Sequence, residues 1–427
     1  MCEKQLNLPA SPNPATLKFM RGKRLYYDDS YTTEFEAVVI ETAEIDGQPV
    51  VVLQQSYFYP ESGGQWCDFG RIHTTNVTNV TIRPSDQATL HHLDNPLPLG
   101  TYPAHIDWTR RFDLMQQHTG QHILSQAFAR ILEANTIGFH MGQASCTIDL
   151  DIAKLDETQL QQVEELANQV VWENRPIHSY FIPLAEASNY PLRKIPTGKG
   201  DQLRVVEIAD FDWNACGGTH VKATGAVGLI KISKVEKIRR QLRIEFRCGK
   251  RAYAHYGDLL ATMGGLTKAF TCAPSDLLAV TSNLRAEHKQ ARKTLKKQQA
   301  RLLAAEAQQL LADVANPNGV QIVQGVFDKR DFADLRQLAQ TIVRQPRTIA
   351  LLGNGDALVF AKSKDAPSVM NELLSPILTT HNGRGGGAAQ FAQAMQLGMN
   401  SAEQKVILAS VAEKIWQQDA ENQCLGD

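Results

Sequence analysis

Two histidines four residues apart are the first candidates for metal chemistry. His118 and His122 lie in RRFDLMQQHTGQHILSQAFARILEA, where apolar residues recur every three or four positions as in a helix. Positions i and i+4 share one face of a helix, so both imidazoles can reach one ion. This spacing is also common among ordinary surface and core histidines. A metal site is therefore predicted only if the sequence supplies a second pair of ligands.

That second pair is Cys216 and His220, which flank the Gly-Gly step of CGGTH. The glycines let the backbone turn tightly, and one thiolate with three imidazoles suits tetrahedral zinc. The alternative for Cys216 is a buried structural thiol. HTGQH lacks the Glu that zincin metalloproteases carry after the first His, and Gly120 is unfavourable inside a helix. A peptidase is therefore disfavoured.

Two glycine-rich segments are candidates for close approach to a ligand. In YPESGGQ, residues 59–65, the Gly-Gly step exposes main-chain N–H groups and Gln65 adds an amide. GRGGG at 383–387 precedes AAQFAQAM, which could open a helix and so favour phosphate. The alternatives are a plain hairpin turn and a flexible loop. Neither segment is a Walker loop or a dinucleotide fingerprint.

The elements that must position these residues change character along the chain. Residues 1–100 contain short β-rich runs, with Asp46-Gly47 as a hairpin signal, and predict a small β-barrel. Residues 101–260 predict an α+β core that holds the metal ligands, with Asp156 capping a helix. Residues 261–315 predict a helical arm, and residues 316–427 an α/β domain. The expected fold class is α+β and multidomain.

Composition and charge indicate which kinds of partner the protein could bind. The 427 residues have a formal net charge of −1, but basic residues cluster at 231–251 and 285–301. Such clusters can neutralise RNA phosphates, although a solvated face is the alternative. The first twenty residues lack the apolar core of a secretory signal, and no stretch is apolar enough to span a membrane. The seven cysteines do not show the paired spacing of a disulfide framework. We expect a reduced, cytoplasmic protein.

Three motifs together resemble one family: YFYPESGGQWCDFG, RRFDLMQQHTGQHILSQAF and NACGGTHVKATGAVG. They are similar to the editing half of alanyl-tRNA synthetase and to the free-standing AlaX proteins. GGRGGGAAQFAQ is similar to the glycine-rich signature of the DHH-associated domain that ends the long AlaX form, although AAQ stands where that family carries Arg-Pro and an acidic residue. The resemblance runs from about residue 25 to the C-terminus.

The resemblance implies a hydrolase that removes serine, and also glycine, from mischarged tRNA(Ala), with one zinc ion per chain. It implies metal binding by four residues: His118, His122, Cys216 and His220. It places Gln65 at the editing pocket, and a group that hydrogen bonds the seryl hydroxyl would exclude alanine. Candidates for that catalytic or selective role are Gln65 and Thr119, followed by Ser145 and Thr147. Candidate substrate or tRNA contacts are Ser62, Gly63, Gly64, Arg239, Arg240, Gly383, Arg384, Gly385 and Gly386.

The resemblance also implies a homodimer through the arm or the C-terminal domain. No segment is left for an aminoacylation domain, so we expect action in trans without ATP. Whether all four ligands bind zinc at once, or a water takes one position, stays open. The rival interpretations are editing of seryl-tRNA(Thr), a tRNA scaffold whose zinc only stabilises the fold, and a DHH phosphoesterase. The DHH phosphoesterase is disfavoured, because the sequence contains no Asp-His-His triplet.

Overall fold

The computed structural model describes residues 22–195, 201–314 and 319–424. The first twenty residues, on which the signal-peptide prediction rests, lie outside these residues. Residue contacts divide the chain into two compact units, Met1–Leu266 and Thr267–Asp427. The three boundaries between the four predicted domains remain predictions, and the one between residues 260 and 261 lies inside the helix Gly249–Phe270.

The first unit begins with a closed six-stranded barrel, as the sequence predicts. Its strands pair in the order β2-β3-β7-β6-β5-β8, and a short parallel pair, β1 and β4, lies beside it. Asp46 and Gly47 both have positive φ, which suits the tight hairpin between β2 and β3. Alternating apolar residues fill the barrel. The strands are β1 Lys23–Arg24, β2 Glu34–Ile45, β3 Gln48–Leu53, β4 Gln55–Ser56, β5 Gly70–Ile72, β6 Thr75–Ile82, β7 Thr89–Leu93 and β8 Gly100–Ile106.

A long helix, α1 Trp108–Leu132, follows the barrel and forms the centre of the second core in this unit. Asp107 caps it by accepting a hydrogen bond from the Arg110 N–H. A capping box at Asp156 begins the second helix, as predicted. The remaining elements are β9 Thr136–Met141, β10 Cys146–Leu150, α2 Glu157–Trp172, β11 Ile177–Pro183, β12 Gln202–Ile208, β13 Asp212–Ala215, β14 Ile230–Ile238, β15 Gln241–Cys248 and α3 Gly249–Phe270. They build a sheet of order β14-β15-β10-β9 and another of order β11-β12-β13.

The second unit contains a five-stranded mixed sheet of order β16-β17-β18-β20-β19. Helices pack on both of its faces, with one apolar cluster against each. The elements are α4 Leu277–Ala312, β16 Gln321–Val326, α5 Phe332–Ile342, β17 Thr348–Gly353, β18 Leu358–Lys362, α6 Met370–His381, β19 Arg384–Ala388, β20 Phe391–Met395 and α7 Ser401–Cys424. Among the described residues, no helix is long and apolar enough to cross a membrane.

The expectation that a helix opens after the glycines at 383–387 is wrong. Residues 384–388 form the edge strand β19, which pairs antiparallel with β20. The physical reason is that burial alternates from one residue to the next, as it does in a strand. Ala392 and Ala394 are buried in the sheet core, while Phe391 and Gln393 are more exposed. Alanine has a high helix propensity, but tertiary packing overrides it here.

Gly120 shows why a residue unfavourable in helices stands inside α1. A Cβ at this position would lie 2.2 Å from the Cys248 Sγ atom, so the helix and β15 pack too closely for a side chain. We expect Gly120→Ala to lower the free energy of unfolding by about 1–3 kcal/mol, because overpacking outweighs the gain in helix propensity. Urea denaturation measures this change.

A matched control is Gly257→Ala in α3, where an added Cβ meets nothing within 4 Å. That variant should be as stable as the original or more stable, by up to about 1 kcal/mol. Adding Cys248→Ala to Gly120→Ala should restore part of the lost stability, because it removes the clashing sulfur. Equal stability of the two glycine variants would show that the contact with Cys248 is not tight.

Candidate metal site

Four side chains of the types that can bind a metal, His118, His122, Cys216 and His220, lie close together in the first unit, as the sequence predicts. One donor atom from each of the four lies within 4.8 Å of the others. The Cys216 Sγ atom is 3.4 Å from His118 Nε2 and 3.3 Å from His220 Nε2. A nitrogen and a sulfur bound to one tetrahedral zinc are about 3.5 Å apart, as follows from bond lengths of roughly 2.0–2.3 Å. The donor types and their spacing therefore fit one zinc ion.

Two elements supply these ligands. His118 and His122 are one turn apart on α1, and both are nearly fully buried. Cys216 and His220 flank the turn that follows β13. The guanidinium of Arg204 stabilises that turn, donating to the carbonyl oxygens of Cys216 and Gly218 at 2.9 Å each.

Each histidine has an oxygen atom facing its second ring nitrogen. Gln65 Oε1 is 2.6 Å from His118 Nδ1, and Thr119 Oγ1 is 3.1 Å from His220 Nδ1. Asp212 Oδ2 is 3.4 Å from His122 Nδ1, an ion-pair distance. An acceptor at Nδ1 fixes the tautomer that leaves Nε2 available to a metal. Hydrogen-bond contacts thus hold the rings of His118 and His220, and the Asp212 carboxylate faces the ring of His122 at ion-pair distance.

The electrostatics also favour a deprotonated sulfur. Burial raises the pKa of Cys216, but its interactions with the neighbouring His118 and His220 outweigh burial and hold that pKa well below its usual value. Burial likewise raises the pKa of Asp212, and its interactions with His122 and Arg193 produce a net lowering. Burial lowers the pKa of His220 to about 3, so this imidazole is neutral near pH 7. A thiolate and a neutral imidazole are the forms that bind metal.

The glycine-rich turn at 62–65 lies directly behind this cluster. Ser62 and Gln65 exchange backbone hydrogen bonds, and Gly63 and Gly64 both have positive φ, so the segment is a tight turn. Gln65 is fully buried, and its Nε2 donates to Thr219 Oγ1 at 2.7 Å. The turn therefore links His118 to CGGTH through one amide side chain. A direct substrate contact by Gln65 stays a prediction.

The other predicted residues are placed as follows. Thr119 is buried, and its hydroxyl oxygen also accepts a hydrogen bond from the Val221 N–H at 3.3 Å. Ser145 lies in the turn between β9 and β10, and Thr147 lies on β10. Arg239 and Arg240 form the two-residue turn between β14 and β15. Gly383, Arg384, Gly385 and Gly386 belong to the second unit, where residues 384–386 are exposed on the edge strand β19.

Sequence reasoning missed Asp212, Arg193 and Arg204. Asp212 is fully buried and binds Arg193 Nε at 2.6 Å while it faces His122. A signal did exist, because Arg204 and Asp212 are charged residues beside strongly apolar strand positions, and a buried charge needs a partner. Their partners, however, are distant in sequence.

Comparisons with known proteins agree with these motifs. A family described as the second additional domain of threonyl and alanyl tRNA synthetases matches residues 203–245. The alanyl-tRNA editing protein AlaX-L of Pyrococcus horikoshii is 27% identical over 382 residues, which cover 87% of this chain and 94% of that protein. The predicted resemblance to long-form AlaX is confirmed. It runs through both units.

Larger relatives match as well. An alanine–tRNA ligase of Pyrococcus furiosus is 32% identical over 394 residues, which cover 87% of this chain and 41% of the ligase. The chain thus spans about two fifths of the length of that ligase. The solved C-Ala domain of Aquifex aeolicus alanyl-tRNA synthetase matches 23% of this chain and 96% of that domain at 22% identity, with a TM-score of 0.20. That score is too low to establish a shared fold.

Asp212 provides a test of how the partners of the histidines act on metal binding. We expect Asp212→Asn to weaken zinc affinity about 10- to 100-fold, the usual cost of losing a carboxylate behind a ligating histidine. Competition with a chromogenic chelator measures the affinity. Asp210→Asn is the matched control, because Asp210 is exposed and two residues away. An unchanged affinity in Asp212→Asn would refute the orienting role.

Proposed function

We propose that this protein is a zinc-dependent hydrolase that deacylates mischarged tRNA(Ala), chiefly seryl-tRNA(Ala) and also glycyl-tRNA(Ala), without ATP. The observation that carries the proposal is the convergence of the four metal donors on one point in a chain that resembles an alanyl-tRNA editing protein along nearly its whole length. The relatives that are named alanine–tRNA ligases favour tRNA(Ala) over tRNA(Thr). The family description at residues 203–245 covers both synthetases and does not discriminate between them.

In this proposal the four ligands are His118, His122, Cys216 and His220, with one zinc ion per chain. Held by these residues, zinc would supply Lewis-acid chemistry toward a water molecule or the ester carbonyl. The protein's own residues orient the imidazoles through Gln65, Thr119 and Asp212, and they keep the cluster largely away from solvent. If all four donors stay bound, zinc must expand its coordination for the substrate or act structurally.

Selectivity for serine requires a polar group that meets the substrate hydroxyl. Thr119 is one candidate, since its hydroxyl oxygen lies 3.1 Å from His220 Nδ1, next to the cluster. A site built around such a hydrogen bond discriminates against an analogue that lacks the hydroxyl by up to about 10⁴-fold. Glycine, which also lacks the hydroxyl, needs a different route of acceptance.

Two further parts of the proposal concern partners. Basic side chains at 231–251 and 285–301, with Arg239 and Arg240 at an exposed turn, would contact tRNA phosphates. A homodimer through the helical arm, residues 261–315, would bury the exposed Leu284, Leu295 and Leu302, and the C-terminal domain is the alternative interface. Light scattering on the purified chain tests the dimer, and a monomeric mass would exclude it.

The test of the proposed function uses tRNA(Ala) esterified with serine, glycine or alanine. We expect fast loss of serine, measurable loss of glycine, slow loss of alanine, and the same rates with and without ATP. Seryl-tRNA(Thr) in parallel tests the rival specificity. If no ester is cleaved while the protein still binds the tRNA, the catalytic proposal fails and the scaffold interpretation replaces it.

A further inference from the structure

Arg204 is a buried cation next to the turn that carries two of the four metal ligands. It lies on β12 and is only 7% exposed. Its Nη1 atom donates to the carbonyl oxygens of Cys216 and Gly218 at 2.9 Å each. The main chain adds a third contact, because the Cys216 N–H donates to the Arg204 carbonyl oxygen at 3.1 Å. One residue therefore holds the first half of CGGTH through three hydrogen bonds.

The guanidinium of Arg204 lacks the usual partner of a buried cation. Within the described part of the chain no carboxylate forms an ion pair with it, and its Nε atom has no hydrogen-bond partner. A buried charge without an opposite charge is costly. Burial lowers the pKa of this guanidinium, and Cys216 opposes that shift most strongly. Its Cζ atom also lies 4.9 Å from the centroid of the Tyr27 ring, so the cation interacts with the ligand turn and an aromatic face.

The turn that Arg204 holds has little freedom to move without disturbing the cluster. A Cβ atom added at Gly218 would lie 2.2 Å from His118 Cε1, so the turn packs directly against that imidazole. The Cys216 Sγ atom is 3.4 Å from His118 Nε2, and metal–ligand distances tolerate deviations of only about ±0.2 Å. A small shift of the two carbonyl oxygens would therefore carry Cys216 and His220 away from the position that suits a shared ion.

We propose that Arg204 is a positioning residue that fixes Cys216 and His220 at the separation a zinc ion requires, acting through the carbonyl oxygens of the turn. The inference rests on the metal site of the proposed function and adds a residue that sets its geometry. The partners of the imidazoles face ring nitrogens, whereas Arg204 acts on the main chain of the segment that supplies the thiolate. A buried cation is retained there because one nitrogen can donate to two carbonyl oxygens at once.

The first test measures the metal site without any substrate. Arg204→Lys keeps the positive charge, but its side chain is shorter and has no planar fork of donors. We expect its zinc affinity, measured by competition with a chromogenic chelator, to fall about 10- to 100-fold. We also expect the sulfur-to-metal charge-transfer band of the cobalt(II)-loaded protein to shift, because the sulfur changes position. Circular dichroism verifies that the variant is folded.

Arg175→Lys is the matched control. Arg175 also donates to a carbonyl oxygen, that of Ala209 at 3.0 Å, and lies 5.7 Å from the centroid of the Phe211 ring. Its side chain forms its ion pair with Glu173, away from CGGTH. We expect the zinc affinity and cobalt spectrum of this variant to equal those of the original protein. An unchanged zinc affinity and an unchanged cobalt spectrum in Arg204→Lys would overturn the positioning role.

Kinetics separate positioning of the ligands from contact with the substrate. With zinc at saturating concentration, Arg204→Lys should lower kcat for seryl-tRNA(Ala) at least about tenfold and leave KM nearly unchanged, because the defect lies in the metal geometry. A raised KM with an unchanged kcat and cobalt spectrum would make Arg204 a substrate contact and overturn the proposal. Absence of deacylation by the original protein would instead count against the proposed function, and the zinc and cobalt measurements would still decide the role of Arg204.

Discussion

Cys216→Ala should lose its bound zinc, and its rate of seryl-tRNA(Ala) deacylation should fall at least about a hundredfold. This loss exceeds the 10- to 100-fold effect that is typical when a residue hydrogen bonded to a metal ligand is removed. The thiolate is the anionic member of the cluster and lies 3.3–3.4 Å from two imidazole nitrogens. Its removal leaves three buried histidines with no negative charge among the ligands. Elemental analysis of the purified protein measures zinc per chain, and radiolabelled seryl-tRNA(Ala) measures the rate.

Cys272→Ala is the matched control for this variant. Cys272 is also a free, partly exposed cysteine, but it lies in the second unit and outside the cluster. Its zinc content and rate should equal those of the original protein. If Cys216→Ala keeps both its zinc and its activity, Cys216 is not a ligand and the metal site is built differently.

Arg111→Ala should produce the largest loss of stability of any change considered. Arg111 and Asp68 form an ion pair in which both side chains are completely buried. Arg111 also donates to the carbonyl oxygens of Ser30 at 2.7 Å and Tyr57 at 2.6 Å, so it links α1 to the barrel side of the unit. Removing it leaves a buried carboxylate whose other partner is the Tyr59 N–H.

Breaking a buried ion pair by removing one partner costs about 3–5 kcal/mol. Urea denaturation followed by tryptophan fluorescence measures the free energy of unfolding. The matched control is Arg243→Ala, because its pair with Asp149 is 40% and 24% exposed and should contribute at most about 1 kcal/mol. A loss below 1 kcal/mol in Arg111→Ala would show that solvent or a neighbouring group replaces the lost charge.

Much of the site is predictable from local sequence. The i, i+4 spacing places His118 and His122 on one helix face, and the helix exists with a cap at its start. The pairing of His118 with Cys216 across the chain came from the donor types and the family resemblance. Asp46-Gly47 and Asp156 behave as their local chemistry predicts, because turns and caps depend on neighbouring residues alone.

The parts that failed or were missed depend on long-range packing. Asp212 faces His122 only because β13 lies against α1, a relation that no local spacing encodes. Gly120 looks unfavourable until Cys248 is placed beside it. The segment after Gly387 has helix-forming alanines, yet it pairs as a strand because the sheet buries Ala392 and Ala394. Charge partners and sheet neighbours are set by the tertiary fold.

We propose that the four-residue cluster binds one zinc ion and that this ion is required for ester hydrolysis. The most direct measurement strips the metal with a chelator, confirms the fold by circular dichroism, and then titrates zinc back while seryl-tRNA(Ala) deacylation is followed. We expect negligible hydrolysis by the stripped protein and full recovery at one equivalent of zinc per chain. Undiminished hydrolysis by the folded, metal-free protein would contradict the proposal.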